Sequence, residues 1–169
     1  MRRLKPAATK WTMVKICEHK HRLSPSLYKG SIIVSFTACI AERRPVLNEM
    51  TIYQPLSQML FNSLKKWNCD AHVFLFMPDH CHLLIQGNTD NSNLLAFMKD
   101  FKQRSGYWFS KNIPNVRWQK DFYDHILRED EDIKKQAYYI LDNPVRKGLV
   151  SNWKEYKLKG STIHDLNKW

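Results

Sequence analysis

Two short segments of this sequence carry side chains that can do chemistry together. The first is MPDHCHLLIQ, in which His80 and His82 open an apolar run directly after a turn signal. Side chains alternate faces along a strand, so the two imidazoles point to the same side about 7 Å apart, where they can bind one cation. The same spacing also fits two polar residues on a solvated sheet face, and His19 and His21 repeat it in a basic stretch that we interpret as surface.

The second segment is AYYILDNPV, at the end of a predicted helix. Tyr139 and Asn143 are four residues apart and share a helix face, and so do Tyr138 and Asp142. A phenol can attack phosphorus and hold a 5′ phosphate covalently. Its reference pKa is about 10, so a nearby divalent cation would help it to ionise; Mg²⁺ and Mn²⁺ are the candidates, and Mn²⁺ tolerates imidazole ligands better. Spacing does not choose between the two pairs, and a tyrosine beside an apolar stripe often only packs.

Hydrophobic periodicity predicts the elements that must position these side chains. In chain order they are a strand at 31–40, a helix at 48–67, two strands divided by Pro78-Asp79, a helix at 92–110, an extended segment at 116–127 and a helix from about Asp130 to Asn143. The last helix must end there because Pro144 disfavours helical geometry before it. This order predicts an α+β fold, a ferredoxin-like or RRM-like antiparallel sheet with helices packed mainly on one face.

The composition of the chain limits its class of function. Its 169 residues are 43% hydrophobic, which fits one domain with a core and excludes a disordered chain. No apolar run reaches about 18 residues and no secretory signal is evident, so we expect a cytoplasmic protein without a membrane span. The net charge of +11 favours nucleic acid as a partner over a merely soluble basic protein. The four cysteines lack the CxxC spacing of a zinc or redox site.

The two segments also resemble the motifs of a known family. The strand of HUH endonucleases, in which two histidines flank a hydrophobic residue, is similar to MPDHCHLLIQG. The signature of REP-associated tyrosine transposases (IS200/IS605-like), YI-x-x-NPV-x-x-GLV, resembles YILDNPVRKGLV. The resemblance covers about residues 28–157 and implies that His80, His82 and Asn143 bind Mg²⁺ or Mn²⁺ and that Tyr139 is the nucleophile.

The activity that this resemblance implies is metal-dependent cleavage and strand transfer of single-stranded DNA through a 5′-phosphotyrosine intermediate. The substrate would be a REP-type hairpin with single-stranded flanks, and the protein a monomer or a homodimer. The chain then divides into a basic N-terminal arm at 1–27, the HUH endonuclease and transposase domain at 28–150 and a C-terminal tail at 151–169. Two departures lie near the site: Cys81 replaces Val or Ile, and Leu141-Asp142 replaces His-Leu or His-Phe.

Basic and aromatic residues supply candidate contacts to DNA. The candidates are Arg2, Arg3, Lys99, Lys102, Arg104, Arg117, Trp118, Lys120, Arg146 and Lys147. Trp118, Phe122 and Tyr123 can stack on bases, although Phe122 and Tyr123 can also simply fill the core. The main alternative is a non-catalytic, RRM-like nucleic-acid-binding protein, which has the same charge and fold but needs no nucleophile. A nuclease that uses water and forms no covalent adduct is a further alternative.

Overall fold

A five-stranded antiparallel sheet forms the centre of the fold. The computed structural model describes residues 23–129 and 131–169. The strands are β1 Ile33–Cys39, β2 Cys69–Met77, β3 His80–Gly87, β4 Tyr123–Ile126 and β5 Lys159–Gly160. They lie in the order β4-β1-β3-β2-β5, and the first four follow the ferredoxin-like plan. The predicted α+β fold is therefore confirmed, with one short strand added at the β2 edge.

Two long helices cover one face of this sheet. The helices are α1 Met50–Lys66, α2 Leu94–Asn112, α3 Ile133–Leu141 and α4 Asn143–Arg146. Aromatic rings join α2 to the sheet, since Phe97 contacts Phe36 and Phe101 contacts Phe76. All four of these rings are fully buried. The main hydrophobic core therefore lies between the sheet and α1 and α2, on what we name the helix face.

The turn at residues 78–79 joins β2 to β3 as predicted and sets which side chains share a face. Cys81 is fully buried, and its place in the alternation puts it on the helix face. His80 and His82 therefore point to the opposite side, which we name the histidine face. Thr37 in β1 pairs directly with His82, so its side chain lies on the histidine face as well.

The third helix covers part of the histidine face. Its cap is Asp132, whose carboxylate accepts hydrogen bonds from the N–H groups of the second and third helical residues. The helix contacts β2 and buries Ala137, Ile140 and Leu141. The predicted start at Asp130 lies outside the described residues. Burial of this apolar stripe brings the end of the helix, with its tyrosines, over the sheet.

The chain remains helical beyond the end predicted from Pro144. Helix α3 stops at Leu141, and Pro144 then lies in the first turn of α4, where a missing N–H removes no helical hydrogen bond. Helix α4 runs to Arg146, and α3 ends before Pro144, in agreement with the predicted end by about Asn143. Gly148, with a φ of +69°, closes it by donating its N–H to the carbonyl of Val145 at 2.8 Å.

The C-terminal residues 151–169 pack against the β2 edge of the sheet. Strand β5 pairs with β2, and the hydroxyl of Tyr156 donates to the carbonyl of Phe76 at 2.7 Å. A ring nitrogen of His164 lies 2.9 Å from one of His72. Across residues 23–129 and 131–169, no helix is long and apolar enough to cross a bilayer.

Candidate active site

The two histidine rings meet at the start of β3. Nε2 of His80 lies 3.1 Å from Nε2 of His82, and the ring planes are perpendicular. Two ligand atoms at right angles, each about 2.1 Å from a cation, are about 3.0 Å apart. In a tetrahedral site the same separation would be about 3.4 Å. At 3.1 Å the two nitrogen atoms are close enough to bind one cation between them.

Hydrogen bonds at the far side of each ring fix its orientation. Nδ1 of His80 lies 2.5 Å from a carboxylate oxygen of Asp79, which is itself paired with Arg43 at 3.0 Å. Nδ1 of His82 lies 2.8 Å from the hydroxyl oxygen of Thr37. With the Nδ1 atoms engaged in this way, both Nε2 atoms face the space between the rings. Such outer contacts orient metal-binding imidazoles and raise their basicity.

Burial and nearby positive charge keep the two imidazoles neutral. Burial lowers the pKa of His82 to about 3, with further contributions from His80 and Arg146. Burial likewise lowers the pKa of His80, although the Asp79 carboxylate opposes the shift. A neutral imidazole has the free lone pair that a metal ligand needs. Both rings are therefore in the ligating form at neutral pH.

The two adjacent tyrosines of α3 have different surroundings. Tyr138 packs between aromatic rings, with centroids 5.2 Å from Trp169 and 6.3 Å from Trp153. Tyr139 is 58% exposed, and the guanidinium carbon of Arg146 lies 4.1 Å from its ring centroid. A nucleophile must be accessible to its substrate, so the exposed Tyr139 is better placed for this role than Tyr138.

Arg146 connects the tyrosine segment to the histidine pair. Its guanidinium donates to the amide oxygen of Asn143 at 2.8 Å, and its positive charge contributes to the lowered pKa of His82. The two segments singled out from the sequence therefore lie within electrostatic range of each other. Among the described residues, no cluster of three or more His, Cys, Asp or Glu side chains could hold a metal. A cation at the histidines would thus need other oxygens, such as the amide of Asn143.

Comparison with known proteins identifies the family. A family model described as Transposase IS200 like matches residues 28–142, which is more than half of the chain. The chain belongs to the IS200-like transposase family. Transposases of this family are metal-dependent. The family resemblance inferred from the two motifs is therefore confirmed.

Individual relatives carry the name of one branch of these transposases. A Haemophilus influenzae protein assigned as a REP-associated tyrosine transposase is 33% identical over 112 residues, which cover 57% of this chain and 64% of the relative. The REP-associated tyrosine transposase of Escherichia coli K12 is 29% identical over 133 residues, covering 76% of this chain and 74% of the relative. This chain thus spans less than two thirds of the Haemophilus protein.

A solved structure shares the fold of this transposase-family chain. It is a REP-associated tyrosine transposase bound to a REP hairpin, with a TM-score of 0.70 and 21% sequence identity. The match covers 87% of this chain and 84% of that one. At this identity the likeness concerns the fold alone, and it agrees with the predicted sheet and helices.

Four of the predicted DNA contacts lie in the segments that follow the tyrosines and precede β4. Arg146 and Lys147 follow the tyrosine segment, and their charges reach His82 and His80, respectively. Arg117 and Lys120 are exposed in the segment that runs beside Ile40, at the end of β1 that pairs with the start of β3. Arg146 and Lys147 are therefore within electrostatic range of the candidate site. Arg2 and Arg3 lie outside the described residues.

Helix α2 carries three predicted contacts, and it lies on the helix face. Lys99 is exposed there, whereas Arg104 is paired with the Asp100 carboxylate at 2.8 Å. The ammonium of Lys102 donates to the main-chain carbonyls of three successive residues just before β4, at 2.8–3.0 Å. Lys102 therefore holds that loop in place, a role that its position in the sequence did not indicate.

The placement of Trp118 contradicts its predicted stacking on DNA bases. Its side chain is 8% exposed, its indole N–H donates to the hydroxyl of Ser105 at 2.8 Å, and Phe101 and Phe109 pack beside it. An indole held in this way belongs to the core. Phe122 is also buried, whereas Tyr123 is exposed and pairs with Thr37, on the histidine face.

Sequence reasoning missed three residues that organise the histidine pair. Asp79 and Thr37 orient the rings, and Arg43 binds Asp79 and the thiol of Cys39. The sequence held a partial signal for Asp79, which directly precedes His80. Thr37 and Arg43 approach only through strand pairing and a tight turn after β1, which no local spacing reveals.

Proposed function

We propose that this protein cleaves and rejoins single-stranded DNA, with Tyr139 as the nucleophile and His80, His82 and Asn143 as metal ligands. The main support is the pair of neutral imidazoles whose Nε2 atoms lie 3.1 Å apart, within electrostatic range of Arg146 in the tyrosine segment. Family membership supports the same reading. Two imidazoles and one amide oxygen leave coordination positions for a phosphate oxygen and water.

The reaction transfers a phosphoryl group to the tyrosine and back. The Tyr139 oxygen attacks phosphorus as its proton leaves, the bond from phosphorus to the 3′ oxygen breaks, and that oxygen takes up a proton. The 5′ phosphate stays on the protein, so a 3′ hydroxyl can reverse the step and join a different strand. A bound Mg²⁺ or Mn²⁺ would neutralise charge that develops on the phosphate. The strand that carries the histidines and the capped helix that carries Tyr139 would present the reacting groups to one phosphate.

The proposed substrate is a hairpin of the REP type with single-stranded flanks. The net charge of +11 favours such a polyanion, and both curated relatives are named for REP association. Arg146 and Lys147 act electrostatically on the histidines, Arg117 and Lys120 are exposed in the segment beside Ile40, and all four can bind phosphates. We further propose that the basic arm at 1–27 contacts the hairpin stem, that 28–150 form the catalytic domain and that the protein works in the cytoplasm.

The decisive experiment compares two tyrosine variants. A hairpin oligonucleotide with a 3′ label is incubated with protein and Mg²⁺ or Mn²⁺, then separated on a denaturing gel. The wild type and Tyr138→Phe should form a labelled covalent adduct, since phenylalanine keeps the ring packing of Tyr138. Tyr139→Phe should form none, while its binding to the hairpin changes by less than about twofold, because it lacks only the attacking oxygen.

Three other results would contradict the proposal. An adduct formed by Tyr139→Phe would assign the nucleophile elsewhere. Cleavage without an adduct would indicate a nuclease that uses water. Metal-independent binding without cleavage, found on several hairpins, would indicate a non-catalytic nucleic-acid-binding protein.

A further inference from the structure

The guanidinium of Arg146 lies against the ring and the main chain of Tyr139 and binds the amide oxygen of Asn143. It lies 4.1 Å from the ring centroid of Tyr139 and donates to the Tyr139 carbonyl at 3.3 Å. It also donates to Asn143 at 2.8 Å and lies 3.9 Å from the carboxylate of Asp142. This set of contacts gives Arg146 a position that other basic residues of the site lack.

The amide of Asn143 is held in one orientation. Its Nδ2 group donates to the carbonyl oxygens of Tyr139 and Ile140, at 3.2 and 2.9 Å. The oxygen is therefore the amide atom that remains for a cation, and it is the atom that accepts the hydrogen bond from Arg146. A divalent cation that used this oxygen would meet the guanidinium at close range.

We propose that Arg146 competes with the divalent cation for the amide oxygen of Asn143. This inference rests on the proposed metal site. Arg146 acts as a positioning residue. Its guanidinium holds the Asn143 amide and the Tyr139 ring in place until the metal ion displaces the guanidinium from the amide oxygen. Two cations at one oxygen repel each other strongly in a partly buried site, so both cannot stay.

Displacement from the amide leaves Arg146 with its other contacts. The Tyr139 ring and the Asp142 carboxylate can hold the guanidinium after it leaves Asn143. The side chain of Arg146 is 39% exposed, so the exchange needs no rearrangement of the core. The competition is therefore a local side-chain movement.

Mn²⁺ binding to the DNA-free protein tests this inference without a catalytic readout. The affinity is measured by titration calorimetry or by the paramagnetic signal of free Mn²⁺, for wild type, Arg146→Met and Lys147→Met. Lys147→Met is the matched control, because it also removes one positive charge near the histidine pair. The charge of Lys147 lowers the pKa of His80, and the charge of Arg146 lowers the pKa of His82. Arg146→Met should bind Mn²⁺ roughly tenfold more tightly than wild type, since a charged hydrogen bond no longer opposes the metal.

The control variant and an Asn143→Ala background separate competition from simple charge. Lys147→Met should tighten binding by only about twofold through lost repulsion. In the Asn143→Ala background the advantage of Arg146→Met over Lys147→Met should disappear. Equal effects of the two single variants, or an advantage that survives in Asn143→Ala, would overturn the competition. Arg146→Gln provides a second variant, and thermal melts verify folding.

Failure of the metal site itself gives a different pattern. If neither the wild type nor any variant binds Mn²⁺, the proposed cation site is wrong, and the inference that Arg146 competes with the cation is overturned as well. If the wild type binds Mn²⁺ and Asn143→Ala binds it equally well, the histidines hold the metal without Asn143, and the inference about Arg146 is overturned. Tight wild-type binding that weakens in Asn143→Ala leaves the metal site standing, and the Arg146 variants then decide the inference.

Discussion

Replacing Asp79 by asparagine should weaken metal binding at the histidine pair by about tenfold. In the wild type the carboxylate lies 2.5 Å from Nδ1 of His80, with Arg43 on its other oxygen. Asparagine can still accept the same hydrogen bond, so the ring keeps its orientation but loses the charged partner. A charged hydrogen bond contributes about 1.5–3 kcal/mol and a neutral one about 0.5–1.5 kcal/mol, and the midpoints of these ranges differ by about 1.25 kcal/mol. That difference corresponds to about tenfold in affinity.

Two measurements follow the effect of Asp79→Asn separately. Asp79 raises the pKa of His80 against the effect of burial, so an NMR titration should show a lower pKa in the variant. A lower pKa reduces proton competition for the ring, so weaker Mn²⁺ binding near neutral pH cannot come from protonation. Asp90→Asn, an exposed carboxylate beyond the other end of β3, is the matched control. A shifted pKa with Mn²⁺ affinity within about twofold of wild type would refute the reasoning.

Two further predictions concern stability. Ser105→Ala should lower the free energy of unfolding by about 1–3 kcal/mol in urea because it leaves the buried N–H of Trp118 without a partner. Hairpin affinity should not change, and exposed Ser110→Ala should have little effect on either measurement. Burial lowers the pKa of His72 below its unfolded value of about 6.5, so the unfolded chain takes up a proton first. Stability should therefore fall as the pH drops below about 6.5, and His72→Gln should flatten that dependence; equal slopes would contradict it.

Local patterns sufficed to predict the main sheet and helices. The histidine strand, the turn at residues 78–79 and the apolar helix faces all depend on interactions between near neighbours, which periodicity records. Strand β5 was not predicted, because its two residues, Lys159 and Gly160, owe their conformation to pairing with β2. Helix α3 ends at Leu141, within its predicted bound, and the chain continues in the short helix α4 because Pro144 is favourable in the first turn of a new helix.

The candidate site was only partly predictable for a related reason. The spacing of His80 and His82 follows from strand geometry, but the choice between the two tyrosines depends on what packs around them. Tyr138 contacts Trp169, which lies far along the chain, and so its side chain is occupied. The prediction that Trp118 stacks on bases was wrong for the same reason. Its basic, aromatic segment resembles a DNA-binding strand, but the indole packs in the core.

The electrostatics of the site connect DNA binding to metal binding. Positive charges on Arg43 and Arg146 help to depress the pKa of His82, and the same charges repel a divalent cation from the rings. A DNA phosphate near these arginines offsets their repulsion of the cation, because it neutralises their charge and supplies an oxygen ligand. Coupling between two ligands is reciprocal, so a metal ion that binds more tightly beside DNA also tightens DNA binding. On the proposed function, substrate and cation therefore assemble the site together, and neither alone completes it.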